Sequence, residues 1–536
     1  MRALGLILLL VNCTACPATG DFSAWFDPVH GDGTRPAGSA DSRDVQLMPP
    51  VGRLTVRDVP SITPLSFPRA FPGAEGFGAE ATGGRGGRVI YVTNLNARGP
   101  GSLQEALEAE GPRYVLFKVS GLINASVQVK HGDLTIAGHT SPGGIIVRGF
   151  HTDETTHFCA TDCDENVRGI DNVIVRHIRS RPRPTSQDGL VDGDGFRLRF
   201  SRNTILDHVS SGNAVDEAFE ISFSNNITVQ DSVLSETLGE HTAFGGMLVN
   251  YSNPASGHGL DNLAILRNVW VRLQGRYPEL SRESPAAVNS TLHIELSNNM
   301  LWDQRFYVSS GHYGGNQGER RGPAFYQLNW VGNFSTMRDT YGYGMLWFEN
   351  PSGMSSVYFY DDHCTRYPDR TDWALNYCCD DYPRSPAVAR PTWARDDRHP
   401  FERCDVTYLP ADQVRRYALA HVGAFPRDPM DRRLMGMIAD GRATGVPTNV
   451  NPANDTWSTD FPANAPPAAP QDTDNDGMPD AWEMANNLDP RVDDHNDTAV
   501  GMARPEAWLH GYPNLEVYLH DLAERRLTEG PWATQR

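Results

Sequence analysis

The sequence has no surplus of positive charge and, after its first residues, no long apolar run. Its formal net charge of -19 at pH 7 leaves no basic face for phosphates, which excludes nucleic acid as the main partner. No internal segment reaches the roughly 18 unbroken apolar residues that a membrane-spanning helix requires. The chain has 536 residues, 39% hydrophobic and 21% charged, which is typical of a soluble globular protein with one large domain and a smaller one.

The N-terminus, MRALGLILLLVNCTAC, combines one arginine, a short apolar run and small residues. This pattern predicts a signal peptide over residues 1–16, and therefore a secreted or cell-surface protein. The end of the segment partly matches a bacterial lipoprotein cleavage site. Whether Cys13 or Cys16 carries a lipid anchor for the outer membrane stays open.

The later cysteines form an even set, which suggests disulfides in an exported chain. They are Cys159, Cys163, Cys364, Cys378, Cys379 and Cys404. The first two are expected to pair with each other and the other four among themselves. A zinc site is disfavoured because the spacing fits no common zinc pattern.

Short aliphatic segments recur at intervals of roughly 20 to 35 residues, a spacing typical of repeat architectures. They are LTIAGHT, NVIVRHI, NTILDHV, NITVQDSVL, NLAILRNVW and HIELSNNMLWD. Turns, and no predicted crossover helix, return the chain from each one. The pattern predicts an all-β fold, a right-handed parallel β-helix with long loops and with asparagines stacked at its turns. The missing hairpin dipeptides and the irregular period disfavour a jelly roll or a propeller.

The remaining segments flank this domain. Residues 17–66 are rich in Gly, Pro, Asp and Ser and are predicted to be a linker or an N-terminal wrap, and residues 67–441 form the main domain. Within it the sequence predicts a strand at Arg88–Val92, a helix capped near Ser102, and a helix–turn–helix in DQVRRYALAHVGAFPRDPMDRRLMGMIADGR. A Pro-rich linker over 442–471 leads to a tail over 472–536.

Acidic residues crowd two of the predicted strand regions. Asp192 and Asp194 are two apart, so in a strand they project to the same face. Asp216 and Glu220, four apart, share a face as well, whereas Glu217 has the opposite parity and is expected to face away. Carboxylates near one another repel unless a cation bridges them, and hard oxygen ligands favour Ca²⁺.

Two arginines lie downstream, Arg276 and Arg282, with Pro278 between them. Calcium and guanidinium groups together would suit an acidic sugar. The plainer alternatives are that the acids cap turns and that Arg276 pairs with Glu279 or Glu283.

The tail opens with DTDNDGMPDAWE, which has acids at loop positions one, three, five, nine and twelve and a glycine at six. This is the EF-hand calcium pattern, in which alternating short acids surround one ion and the glycine permits a sharp turn. The predicted ligands are Asp472, Asp474, Asp476, Asp480 and Glu483. A second half-loop, GYPNLEVYL, has Val517 where the closing acid would stand. The alternative is that calcium merely folds this module.

Several motifs occur together in order and spacing: AFPGAEGFG, GPGSLQEAL, DGDGFRL, ILDHVS, the Asp216 to Glu220 pair, Arg-x-Pro at Arg276, and LSNNMLW. In these, from Ala70 to Gly441, the chain resembles the pectate lyases of polysaccharide lyase family 1. The resemblance implies a parallel β-helix with a groove along one face, and calcium-dependent cleavage of polygalacturonate.

The resemblance also implies roles for single residues. Asp192 and Asp194 match the family's calcium-binding Asp-x-Asp, Asp216 and Glu220 match the acidic pair that completes the site, and Arg276 matches the base.

Two departures from the family pattern concern substrate binding. The second arginine, Arg282, follows the first by six positions instead of five, and the lysine that contacts the substrate carboxylate has no clear counterpart. His241 is the nearest cationic candidate.

The sequence therefore predicts a secreted, monomeric, calcium-dependent pectate lyase acting on an acidic plant polysaccharide and producing 4,5-unsaturated oligogalacturonides. Arginine is an unusual general base, because its unperturbed pKa is above about 12 and it must lose its own proton before it can accept another. Activity is therefore expected at alkaline pH. Hydrolysis of a related polysaccharide and non-catalytic carbohydrate binding on the same scaffold stay open as alternatives.

Overall fold

The computed structural model of the chain describes residues 57–59, 67–152, 169–182, 193–214, 216–237, 245–273, 275–304, 309–310, 313–314, 322–337, 345–348, 355–378, 389–442 and 466–529. The described strands form three large parallel sheets, and the chain visits them in a fixed rotation, from the nine-stranded sheet to the seven-stranded and then to the eleven-stranded one. Each rotation adds one coil, so the fold is the predicted parallel β-helix.

The bounds of the strands follow from this rotation. The eleven-stranded sheet contains Arg88–Val92, Arg113–Phe117, Leu134–Ala137, Ile170–Arg176, Ser201–Asp207, Asn225–Gln230, Asp261–Leu266, Thr291–Ser297, Phe325–Val331, Ser356–Tyr360 and Ala394–Arg395. The nine-stranded sheet contains Gly121–Leu122, Ile145–Val147, Ile178–Ser180, Ser210–Gly212, Val233–Ser235, Val269–Val271, Met300–Gln304, Phe334–Met337 and His363–Cys364. The seven-stranded sheet contains Ser126–Gln128, Gly149–His151, Phe196–Arg199, Phe219–Ser222, Met247–Val249, Glu279–Leu280 and Ser309–Ser310.

Shorter elements flank the coils. Two-stranded pairings join Arg57–Val59 to Val406–Tyr408, Tyr313–Gly314 to Gly322–Pro323, and Leu346–Phe348 to Asn376–Cys378. The α-helices of the described part are Leu103–Glu108, Val414–His421, Pro429–Ala439, Asp480–Ala485, Ala499–Ala503 and Asn514–Leu527. Residues 57–59 are therefore a strand rather than irregular chain, while residues 1–16, predicted to be a signal peptide, lie outside the described residues.

One interior column shows why the aliphatic segments recur. The parallel register places Val175, Leu206, Val229, Ile265, Leu296 and Trp330 opposite one another in successive coils. All six are buried, and each aliphatic member contributes roughly 1.5–3 kcal/mol by leaving water. Because side chains alternate along a strand, the residues directly before and after each of these six face outward.

Asparagines stack at the turns between the eleven-stranded and nine-stranded sheets, as predicted. The side-chain oxygen of Asn268 accepts from the backbone N–H of Ser232 at 2.9 Å, that of Asn299 from Asn268 at 3.0 Å, and that of Asn333 from Asn299 at 3.0 Å. Each amide thus satisfies a backbone donor of the coil before it, which fixes the register of consecutive coils.

The predicted helix–turn–helix is confirmed as Val414–His421 and Pro429–Ala439, which cover the outer face of the nine-stranded sheet. Asp428 caps the second helix by accepting from the backbone N–H of Asp431 at 2.8 Å. Both of these carboxylates also bind the buried guanidinium of Arg181 at 3.2 and 2.8 Å. The helices are therefore fixed to the coils by buried charge as well as by apolar contact.

The disulfide prediction is wrong for two cysteines. Cys364 and Cys404 are free thiols that lie buried in separate apolar clusters, and burial raises the pKa of each. Tertiary packing places the two residues in different layers, which spacing along the chain does not reveal. Cys159, Cys163 and Cys379 lie outside the described residues. Within the described residues, no helix has the length and apolar composition needed to cross a bilayer.

Candidate active site and metal-binding loop

The long turns that lead from the nine-stranded to the seven-stranded sheet bring the candidate residues together. Asp194 stands just before the strand Phe196–Arg199, and Asp216 stands before the next strand of that sheet, Phe219–Ser222. Arg276 stands before Glu279–Leu280, two strands further along. Strands in a sheet are about 4.8 Å apart, so residues far apart in sequence become neighbours at this edge.

Three carboxylates converge there. Oxygen atoms of Asp194, Asp216 and Glu217 lie within 4.8 Å of one another. Asp194 is nearly fully buried, and its Oδ1 accepts from the backbone N–H of Glu217 at 3.1 Å, which fixes the two turns against each other. Burial, followed by the charges of Glu220 and Asp216, holds the pKa of Asp194 well above its usual value.

Gly195 allows this close approach of the two turns. A Cβ at position 195 would meet the hydroxyl of Ser211 at 1.9 Å and the carbonyl of Ala218 at 2.5 Å. The backbone N–H of Gly195 instead donates to the carbonyl of Glu217 at 2.9 Å. The glycine after Asp194 in DGDG is therefore a packing requirement of the acid cluster.

The expectation that Glu217 faces away is wrong. Its carboxylate belongs to the cluster and its side chain is only 4% exposed. Residues 216 and 217 lie in the turn before the strand, where the period of two that governs strand side chains does not apply.

Glu220 lies on the strand itself and is held by Arg199, whose Nη2 and Nε donate to its two oxygens at 2.6 and 2.9 Å. A second arginine, Arg197, has its Nη1 at 3.9 Å from Asp194. Sequence reasoning missed both arginines. The alternation in FRLR could have indicated them, because it puts both arginines on the face of the strand opposite Phe196 and Leu198.

Arg276 is brought to the acids as predicted. Its Nη1 forms an ion pair with Glu217, and its Nε donates to Glu279 at 3.0 Å. The side chain crosses the intervening coil, where Gly245 and Gly246 present no side chains, and it is 13% exposed. The guanidinium therefore stands between the acid cluster and the surface.

Arg282 is not brought to the acids. It is 1% exposed, its guanidinium donates to the carbonyl of Phe325 at 3.3 Å and to the hydroxyl of Ser290, and it lies over the ring of Tyr326. Burial lowers its pKa. A residue in this position supports the coil from inside and does not reach a ligand in a groove. Asp192 and His241 lie outside the described residues.

The tail loop forms a second group of acids. Oxygen atoms of Asp472, Asp474 and Asp476 lie within 4.8 Å of one another. Gly477 makes the predicted turn at φ +105, a backbone conformation that favours glycine. A Cβ at this position would also meet Leu116 and Leu515 at 2.9 Å.

The other two predicted ligands of the loop differ. Asp480 is used within the loop, where it accepts from the backbone N–H and the hydroxyl of Thr473, both at 2.8 Å, and it is not among the clustered acids. Glu483 is buried, and neither of its oxygens has a hydrogen-bond partner among the described residues. Burial and the charge of Asp476 raise the pKa of Glu483 to about 8. Burial raises the pKa of Asp476 itself to about 7.

The fold and the site define a class of protein, a parallel β-helix with carboxylates and an arginine at one edge of a sheet. The chain is 30% identical to the probable pectate lyase C of Emericella nidulans over 458 residues, which cover 82% of this chain and 92% of that protein. It is 29% identical to the probable pectate lyase C of Aspergillus terreus over 456 residues, 82% of this chain and 93% of that one. The chain therefore belongs to the pectate lyase family, and the expectation that it is an enzyme of this family is confirmed.

Two further comparisons are more distant. The probable pectate lyase 18 of Solanum lycopersicum is 28% identical over 221 residues, 35% of this chain and 50% of that protein. The solved structure of a pectate lyase from Paenibacillus sp. 0602 aligns with a TM-score of 0.41 at 13% identity, over 66% of this chain and 95% of that one. No family model matches the sequence.

Proposed function

We propose that this chain is an exported, calcium-dependent pectate lyase that cleaves polygalacturonate by β-elimination and releases 4,5-unsaturated oligogalacturonides. The observation that carries the proposal is the ion pair between Arg276 and Glu217 within the cluster formed with Asp194 and Asp216. It places one strong cationic group and several anionic groups at a single edge of the seven-stranded sheet.

Different residues of the site bind the substrate and transfer the proton. Elimination removes the proton beside a uronate carboxyl group, forms a C=C bond with that electron pair, and expels the neighbouring glycosidic oxygen. We assign the proton transfer to Arg276, the partly exposed cation of the cluster. A charged guanidinium has no free electron pair, so Arg276 must release its own proton to solvent before it can accept the substrate's proton. Glu217 and Glu279 stabilise the charged guanidinium, so the ion pair with Glu217 must break first.

Asp194, Asp216 and Glu217 fit calcium by their chemistry, because they offer several hard carboxylate oxygens at close range. When bound, the ion would neutralise these acids and stabilise the negative charge that develops on the substrate carboxylate. Glu220 supports the cluster from the strand through its bond to Arg199. Asp192 matches the same family motif in sequence and completes the proposed calcium set.

The test is a continuous assay of polygalacturonate cleavage at alkaline pH, read as the ultraviolet absorbance of the unsaturated product. The proposal expects a rise that requires calcium, stops on chelation, and disappears in Arg276→Ala. Arg202→Ala is the matched control, because the exposed Arg202 pairs with the half-buried Asp171 on the eleven-stranded sheet. Reducing ends that accumulate without this absorbance would identify hydrolysis and overturn the proposed reaction.

A non-catalytic carbohydrate-binding role is the second candidate, favoured by the burial of Arg282, which leaves Arg276 without a second exposed arginine from the same motif. This role predicts retention of polygalacturonate on the folded protein with no change in absorbance. Both wild type and Arg276→Ala would then be inactive, whereas only the variant is inactive under the proposed function.

A further inference from the structure

The described part of the tail, residues 472–529, contains a buried carboxylate, Glu483, with no hydrogen-bond partner among the described residues. Glu483 has 0% exposure, and both of its oxygens lack a hydrogen-bond partner among the described residues. The charges that act on it most strongly are those of Asp476 and Asp474, which are also negative. A buried ionised carboxylate surrounded by like charge is strongly unfavourable unless a cation joins it.

Protein cations do not supply that charge. Within the described part of the chain, no ion pair reaches Asp472, Asp474, Asp476 or Glu483, and one oxygen of Asp474 is also buried without a partner. The nearest histidine, His495, has a ring nitrogen within 4.8 Å of an oxygen of Asp476, but its ring bonds to Asp493 and to the carbonyl of Gly87. Several hard oxygens on one loop suit calcium, which accepts irregular coordination, whereas magnesium demands near-ideal octahedral geometry.

The same loop also contacts the β-helix. The hydroxyl of Tyr91 donates to the carboxylate of Asp472, and Nζ of Lys118 donates to the side-chain oxygen of Asn475 at 2.8 Å. Met478, directly after the turn, is buried among outward-facing residues of the eleven-stranded sheet, including Leu116. Asp472, Asn475 and Met478 therefore contact the first coils, and Asp472 belongs to the acid cluster as well.

The rest of the tail continues this contact. Glu516, in the helix Asn514–Leu527, binds Arg85 at 2.8 Å and Tyr114 at 3.0 Å, and the carbonyl of Leu519 accepts from Nε2 of His139 at 3.1 Å. Every residue of the strand Arg113–Phe117 is buried, on both faces, because the tail covers its outer one.

We propose that one calcium ion, held by Asp472, Asp474, Asp476 and Glu483, fastens the tail to the first coils of the β-helix. The ion shapes the loop so that Asp472 meets Tyr91 and Asn475 meets Lys118. Loss of the ion leaves Glu483 uncompensated and releases the tail from the sheet. This calcium is separate from the ion proposed for the groove, and its function is attachment.

The experiment uses the full chain with a recognition site for a specific protease inserted between residues 443 and 465. After cleavage, size-exclusion chromatography in calcium, in magnesium or in chelator measures how much tail stays with the β-helix. The tail of the wild-type sequence is expected to co-elute in calcium and to separate in chelator, with retention reduced at least about tenfold. Equal retention in calcium and in chelator would overturn the proposal.

Glu483→Gln gives a sharper test because its two effects have opposite signs. In calcium the variant loses a ligand and releases more tail than the wild type. In chelator at about pH 9, where the wild-type Glu483 is ionised, the variant lacks the uncompensated buried charge and retains more tail than the wild type. A variant that is merely misfolded releases more tail in both conditions, and that result contradicts the proposal.

Glu506→Gln is the matched control, since Glu506 is an exposed acid of the same tail and its loss should change retention in neither condition. Asp480→Asn tests the ligand set, because Asp480 is bonded to Thr473 and should still allow calcium-dependent retention. Failure of polygalacturonate cleavage would leave these results unaffected, so the two proposals can fail separately.

Discussion

Carboxylates gather in two places: Asp194, Asp216 and Glu217 at the edge of the seven-stranded sheet, here called the groove cluster, and the acids of the tail loop. The two places neutralise their charge differently. In the groove, Asp194 faces Arg197 and Glu217 faces Arg276. In the tail, Glu483 is buried without a partner among the described residues. The protein therefore supplies cations to the groove cluster but none to Glu483, whose carboxyl is protonated or uncompensated until an ion binds.

This difference suggests different uses of calcium. An ion entering the groove must compete with arginines for the same carboxylates, so it should bind weakly until substrate adds its own carboxylate. An ion entering the tail loop meets no competing cation and should bind tightly to the free protein. The first arrangement suits a step of a catalytic cycle, and the second suits permanent attachment.

The largest expected effect is a crossed loss of function. Asp194→Asn should lower turnover of polygalacturonate roughly 100-fold to 1,000-fold, because it removes a fixed charge from the reacting site, and should leave calcium-dependent tail retention unchanged. Glu483→Gln should do the reverse at saturating calcium. Kinetics and chromatography on the same preparations measure both, and a variant that changes both properties would break the distinction between the sites.

Removing a groove arginine should make the groove behave like the tail. Arg199→Gln leaves Glu220 buried without its partner, so the free energy of unfolding in chelator should fall by about 3–5 kcal/mol. Calcium should then restore more stability than it adds to the wild type, as chemical denaturation with and without the ion can show.

Arg202→Gln is the control for that change, since Arg202 and Asp171 form a pair that is half exposed. Loss of an exposed pair costs at most about 1 kcal/mol. An equal loss in both variants would mean that Arg199 has no special relation to the acid cluster.

Acid should weaken the coils that carry the tail. Burial, followed by the charge of Arg176, holds the pKa of His139 well below its usual value, and His177 behaves in the same way. Because the folded pKa is the lower one, the unfolded chain takes up the proton first. The stability is complete above about pH 6.5 and falls below it, by up to about 1.4 kcal/mol per pH unit for each histidine.

Denaturation at a series of pH values measures this slope. His139→Gln keeps an amide donor for the carbonyl of Leu519 but does not titrate, so the slope below pH 6.5 should become shallower by the share of one proton. An unchanged slope would show that His139 does not contribute to the pH dependence of the free energy of unfolding.

The smallest effect concerns a single bond between tail and coil. Tyr91→Phe removes the hydroxyl that donates to Asp472 and keeps the ring under Lys118. Attachment of the tail in calcium should weaken by about 1.5 kcal/mol, the low end of the usual range for a bond to a charged acceptor. Titration of denaturant against tail retention gives the difference, and no change would place the contact outside the attachment.

The regular parts of the molecule could be predicted from the sequence because they obey a period. Strands such as Arg88–Val92 and the capped helix after Ser102 follow from alternation and capping. The loop acids Asp472 and Asp476 follow from the EF-hand spacing. Arg276 was found through a family motif, and the structure brings it to the acids.

The rest could not be predicted because turns have no period and long-range contacts leave no local trace. Glu217 lies in a turn, so its orientation is set by the coil beneath it. Arg282 is buried against Phe325, 43 positions further along the chain. Tyr91 and Asp472 are in contact although 381 positions separate them, and nothing in the sequence around either residue indicates this contact.

The most direct measurement is a calorimetric titration of the full-length protein with calcium in the absence of substrate. We expect one tight calcium site that Glu483→Gln removes and Asp194→Asn leaves intact. Binding of calcium to the groove cluster should appear only when oligogalacturonate is added. Tight binding that Asp194→Asn removes and Glu483→Gln retains would contradict it, and would show that the groove, not the tail, is the cluster that depends on a cation.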